Sequence, residues 1–219
     1  MLFTPSNGRE STFEAVVWES FNTSSLNGVK PIDRQEFGIR LDKLSKQLES
    51  EGVDAFIAEP GGTTLYYANI SNYEWELTER PFLLVVTPTE VFFLAPLFEV
   101  SRAKMLPVPH VEKVKLVTWA EGILTSFARI LRIDASPYQT LLDNLPSNAT
   151  IMVDDNVRSF ISQGLTDLKA NVTLQSPSVA SIREVKSSAE IDIMRAVHPT
   201  SLSSTGSLTC RSISLPWKL

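Results

Sequence analysis

Arg80, the pair Asp154-Asp155 and the two histidines His110 and His198 are the side chains whose types could do chemistry in this chain. A guanidinium can match a carboxylate with two parallel hydrogen bonds, a capacity that Arg80 shares with the other arginines of the chain. Glu76 and Glu79 lie beside Arg80 and offer the ordinary alternative, a surface ion pair worth under about 1 kcal/mol. Asp154-Asp155 could offer oxygens to a divalent cation. They stand directly before an apolar pattern that starts at Val157, however, so they are expected to cap a helix and complement its dipole. His110 lies in the loop Pro107-Val108-Pro109-His110, and neither histidine has the spacing of metal ligands. Cys210 is the single cysteine, which excludes an intrachain disulfide and a thiolate metal cluster. Tyr73 and Trp75 sit in the polar loop Asn72–Glu79, where aromatics either line a pocket or cover a sheet edge. Tyr66 and Tyr67 are expected in the core, and Glu99 with Arg102, one turn apart, as a solvated helix pair.

These residues are positioned by a regular alternation of elements. Asp33 with Glu36 signals a helix start, Phe37, Leu41, Leu44 and Leu48 repeat at helical steps, and Gly52 ends the pattern. Val53 to Ala58 reads as a short apolar strand, after which Thr63 or Thr64 can cap a short helix. Phe82–Val86 and Val91–Leu94 flank Thr87-Pro88-Thr89-Glu90 as a hairpin, and neither alternates, so both faces are expected to be covered. Pro96 to Met105 is helical, Val114 to Thr118 a strand and Tyr138 to Leu145 a helix. A strand at Ile151–Val153, a helix over Val157 to Leu168 and a strand at Val172–Leu174 complete the order. That order predicts an α/β fold with a roughly six-stranded sheet and helices on both faces.

Composition narrows the partners. The net charge of −5, with no Lys/Arg run longer than two, gives no basic field for nucleic acid. No apolar run of 18 residues is present, so no membrane span is expected. The start of the chain lacks a basic region and an apolar core, which fits a cytoplasmic protein. Four N-x-[ST] matches, at Asn22, Asn69, Asn148 and Asn171, hint instead at a secreted relative, so the compartment stays open. Residues 1–30 read as a flexible leader and residues 31–181 as the folded domain. Ser187 and Glu190 have capping-box spacing, and Ile191, Met194 and Val197 follow as an apolar stripe. From His198 onward, nine of 22 residues are Ser or Thr, so 199–219 is expected to be a disordered tail.

Several ordered fragments resemble the N-terminal domain of the creatinase/prolidase (Xaa-Pro peptidase) family. They are Arg40-Leu41 through Val53-Asp54-Ala55, Leu65-Tyr66-Tyr67, Glu79-Arg80-Pro81-Phe82, Pro96-Leu97-Phe98-Glu99 with Arg102, and Trp119-Ala120-Glu121 with Ser136-Pro137-Tyr138. Arg183, Lys186 and Glu190-Ile191 with Met194-Arg195 are similar to that family's linker into a catalytic domain, so 182–198 is expected to begin a linker helix. The resemblance covers about Lys30 to Val197 and implies a mixed sheet. It also implies that catalysis belongs to a downstream domain whose two Asp, one His and two Glu bind a pair of divalent metals such as Mn; no residue here matches those ligands. On this reading the chain is truncated and inactive alone, and contributes subunit pairing, as in a homodimer, and a wall of the active site. The resemblance further implies that Arg80 holds the carboxylate of a proline-containing peptide, with Tyr73 and Trp75 beside the substrate. Residues 122–134 are an atypical insertion by that pattern, and they and the tail are expected to stem from a gene-reading error or a decayed gene. Two other readings remain: a remnant of a creatinase-type amidinohydrolase, or a stand-alone dimerisation module.

Overall fold

The computed structural model describes residues 28–109, 114–120 and 136–203, with side chains as far as residue 196. The leader to residue 27, the insertion at 122–134, His110 and Cys210 lie outside the described residues. Ile32–Ser187 forms one compact unit, and residues from Ser188 onward belong to another.

Helix α1, Arg34–Glu51, starts where the sequence places it: the Asp33 carboxylate accepts a 2.7 Å hydrogen bond from the Gln35 N–H. The expected partner of that cap, Glu36, instead takes the Arg40 guanidinium one turn on. Gly52 ends the helix at φ 67°, a left-handed conformation that a residue without Cβ adopts freely, and its N–H bonds back to the helix carbonyls. Strand β1, Ala55–Ala58, follows, then α2, Gly62–Ala68. The cap of α2 is Gly61 rather than Thr63 or Thr64. The Thr64 hydroxyl accepts from the Gly61 N–H at 2.7 Å and donates to the Ile70 carbonyl at 2.7 Å, which leaves it inside the helix.

Strands β2, Leu83–Val86, and β3, Val91–Pro96, form the expected hairpin, with Val86 opposite Val91. The Thr87 hydroxyl accepts the Glu90 N–H at 2.9 Å and closes the turn. A short 3-10 turn, Leu97–Glu99, leads into α3, Val100–Ala103, and β4 is Val114–Trp119. Helix α4, Pro137–Asp143, β5, Thr150–Val153, α5, Ser159–Asp167, and β6, Asn171–Leu174, come next. Helix α6, Pro177–Ser181, was not foreseen, although Ser176-Pro177 is a cap followed by proline at the first helical position. Helix α7 spans Ser188–Ser203. It therefore begins just after Ser187, as the capping spacing indicates, and takes in the first five residues assigned to a tail. Among the described residues no helix is long and apolar enough to cross a membrane.

The strand order is β4-β3-β2-β1-β5-β6. Only the contacts of β2 with β1 and β3 are antiparallel; the other three pairs are parallel, which makes the sheet mixed. Strands β1 and β2 are buried along their whole length. Residues alternate between two cores: Phe56, Leu84, Phe93 and Met152 face α1, α2 and α6, while Ile57, Leu83, Phe92 and Val153 face α4 and α5. Continuous apolar strands are the consequence of that double cover.

Candidate functional site

Because β2 alone runs against the others, five strands end at one edge of the sheet and β2 begins there. In α/β sheets, loops at the carboxyl ends of parallel strands are the usual place for function, above all where the order reverses. Here the reversal lies between β1 and β5.

Arg80 sits on this edge, just ahead of β2. Its guanidinium pairs with Glu79, whose side chain is 75% exposed, and lies 5.2 Å over the ring of Phe98. Phe98 and Leu97 are exposed, and Tyr73 is 94% exposed. The loop that carries Arg80 is fixed from below. The Trp119 indole N–H donates to the Pro81 carbonyl at 3.2 Å, and Phe82 is stacked between Trp75 at 4.0 Å and Phe93 at 5.3 Å. Trp75 is therefore a core residue, 2% exposed, with the Arg102 guanidinium 4.3 Å over its ring. Arg102 also pairs with Glu99 at 3.0 Å, the expected helix pair. The loop of Tyr73 and Trp75 is tied by Glu74, which accepts the Ser71 hydroxyl and, at 2.7 Å, the Ser71 N–H. Those two bonds hold the Glu74 carboxyl below its ordinary range. Tyr73 thus faces solvent, Arg80 is half-buried beside Glu79 and Phe98, and Trp75 lies inside.

The crevice between β1 and β5 holds a second group of charges. Glu59, directly after β1, is buried and accepts from Arg158 three ways: its N–H at 2.8 Å, its Nε at 3.0 Å and its Nη2 at 2.6 Å. Asp154, directly after β5, is 3% exposed. It accepts the Thr63 hydroxyl at 2.7 Å and the Asn156 N–H at 3.3 Å, and Arg183 approaches to 3.8 Å. These contacts correct the helix-cap expectation for Asp154-Asp155, since α5 starts at Ser159 with Arg158 at the cap. A cleft of about 280 Å³ beside them is lined by Asp154, Asp155, Gln175 and Arg183, among others. Glu59, Thr63 and Arg158 were not foreseen from sequence. Their signal was an acidic residue closing each of two apolar strands, Ala55–Ala58 and Ile151–Val153.

Two tyrosines near these charges are shifted. Burial pushes the Tyr67 phenol far above the usual tyrosine range, with Tyr66 the next contributor. Burial, then the Glu59 carboxylate, raises Tyr138. Tyr67 is deep in the core as expected, whereas Tyr66 is only partly buried. Among the described residues no three His, Cys, Asp or Glu side chains are grouped to hold a metal ion. The described residues therefore do not offer the ligands of a metal pair.

The creatinase/prolidase N-terminal domain family matches residues 40–197. An uncharacterised peptidase of Schizosaccharomyces pombe is 37% identical over 183 residues, which is 79% of this chain and 38% of that protein; the chain thus spans well under half of its length. A dipeptidase, PepE, from Mycobacterium ulcerans superposes with a TM-score of 0.60 at 22% identity, over 74% of this chain and 40% of the other. A prolidase from Thermococcus sibiricus gives a TM-score of 0.53 at 17% identity, over the same shares. At such identities these two speak for the fold alone. With its mixed six-stranded sheet and the match over residues 40–197, the chain belongs to the creatinase/prolidase N-terminal domain family.

Proposed function

We propose that this chain supplies the N-terminal domain of an Xaa-Pro dipeptidase- or aminopeptidase-like hydrolase, where it pairs subunits and walls an active site. Catalysis, with the two divalent metals the family implies, would then lie outside residues 40–197. The observation that carries this reading is Arg80, a guanidinium over the exposed Phe98 ring on a loop pinned by Trp119 and the Trp75–Phe82 stack. In this role Arg80 takes the carboxylate of a proline-containing peptide, Tyr73 stands beside the substrate, and Trp75 acts as the support beneath both. Leu97, Phe98 and Tyr73 would form the centre of the contact between subunits, since exposed apolar side chains grouped on one edge favour association.

Sedimentation of the purified chain, together with metal analysis and a Gly-Pro hydrolysis assay, tests the proposal. A dimer that Phe98→Asp converts to monomer, with no turnover and no stoichiometric Mn, Co or Zn, is the expected result. Turnover above a blank would refute the non-catalytic role. A monomer at tens of micromolar, or a dimer indifferent to Phe98→Asp, would remove the pairing role.

A further inference from the structure

The crevice between β1 and β5, where a ligand would be sought first in an α/β sheet, opens to a cleft bordered by Arg183, Glu184 and Lys186 of the segment after α6. We propose that Arg183 is a pin that clips residues 182–184 onto the sheet, so that this segment follows a fixed path rather than forming a loose tether. Its guanidinium donates to the Thr63 hydroxyl, which donates in turn to the buried Asp154 carboxylate at 2.7 Å. The relay joins three elements distant in sequence: α2, the end of β5 and the segment after α6. Asp154 supplies the charge that makes it strong, because a carboxylate 3% exposed must keep its partners.

Independent contacts hold the same segment. The Tyr66 hydroxyl donates to the Ile182 carbonyl at 3.3 Å, and the Arg40 guanidinium lies 4.1 Å over the Tyr66 ring. The Ile182 side chain packs against the core that contains Val179. Lys186 folds back to donate to the Arg183 carbonyl. The backbone from Ile182 to Glu184 is turned, with its N–H groups on the carbonyls of Val179, Ala180 and Ser181 at 3.3, 3.2 and 3.1 Å. These contacts hold the backbone as far as Glu184. The clip stands on these contacts alone and does not depend on the peptidase reading.

Hydrogen exchange of the intact chain, read peptide by peptide, tests it. In the wild type the amides of Ile182, Arg183 and Glu184 are expected to be protected. Arg183→Ala should speed their exchange by about ten-fold or more while Leu83–Val86 keeps its rate. Thr63→Val, which removes the bridging hydroxyl at similar size, should give the same local loosening and serves if Arg183→Ala does not fold. Arg158→Ala, which breaks the neighbouring pair with Glu59, should leave residues 182–184 unchanged. Unprotected amides in the wild type, no loosening in either clip variant, or equal loosening in Arg158→Ala would each overturn the proposal.

Discussion

Replacing Trp75 by alanine separates a core residue from a pocket-lining one. The ring is 2% exposed, stacked at 4.0 Å and 19° on Phe82, with Arg102 on its outer side. A buried tryptophan removes roughly 150–250 Å² from water, so at about 25 cal/mol per Å² its loss is bounded near 4–6 kcal/mol. Partial collapse of the surroundings reduces this, and we expect Trp75→Ala to cost about 3–5 kcal/mol. Tyr73→Ala, two residues away but 94% exposed, should cost no more than about 0.5 kcal/mol. Trp75→Phe keeps one ring in the stack and should fall between. Urea unfolding measures all three, with the slope m unchanged if only the folded state is altered. A loss under about 1 kcal/mol for Trp75→Ala would refute the stack as the support of the Arg80 loop. Equal costs at positions 75 and 73 would do so too.

Two further substitutions have signs fixed by the structure. Among the described residues the Tyr67 hydroxyl is buried without a hydrogen-bond partner, so Tyr67→Phe should stabilise the fold by about 1 kcal/mol. Burial also raises this phenol, so its neutral form favours the folded state up to the unfolded tyrosine pKa of about 10. Above that pH stability falls as pH rises, by about 1.4 kcal/mol per unit, and Tyr67→Phe should lack this component in alkaline urea titrations. At Gly164 in α5 an added Cβ would come 2.2 Å from the Tyr138 ring of α4. Overpacking of about 1–3 kcal/mol then outweighs the roughly 1 kcal/mol gained in helix propensity, so Gly164→Ala destabilises. In a Tyr138→Ala background the same change should stabilise, and thermal unfolding of the four variants checks the reversal.

Much of the fold was legible because its strands are short apolar runs and its helices carry clean periodicity. Phe37 to Leu48 with Asp33 and Gly52, and the hairpin around Thr87, are decided by local chemistry that no distant contact opposes. Helix α6 escaped because Pro177–Ser181 is too short to show a period, and its Ser176-Pro177 start was its only mark. The cap at Asp154-Asp155 failed for a different reason. Spacing before Val157 suited it, but a carboxylate at the end of a central parallel strand is claimed by tertiary partners, here Thr63, 91 residues away. No local rule reports such a partner. The same limit explains Trp75: its loop is polar in sequence, yet the ring turns inward because Phe82 and Phe93 offer a stacking surface that only the folded sheet creates.

The edge where five strands end holds arginines under two electrostatic regimes. Arg158 and Arg183 answer to Glu59 and Asp154, carboxylates whose side chains are 2% and 3% exposed. Withdrawing either cation would leave a buried anion short of partners, which costs several kcal/mol, so neither is easily released to an incoming ligand. The Glu79 side chain that pairs with Arg80 is 75% exposed. A pair of that kind is worth under about 1 kcal/mol. The Arg80 guanidinium also rests 5.2 Å over the Phe98 ring. On this edge Arg80 pairs with an exposed carboxylate, whereas Arg158 and Arg183 answer to buried ones.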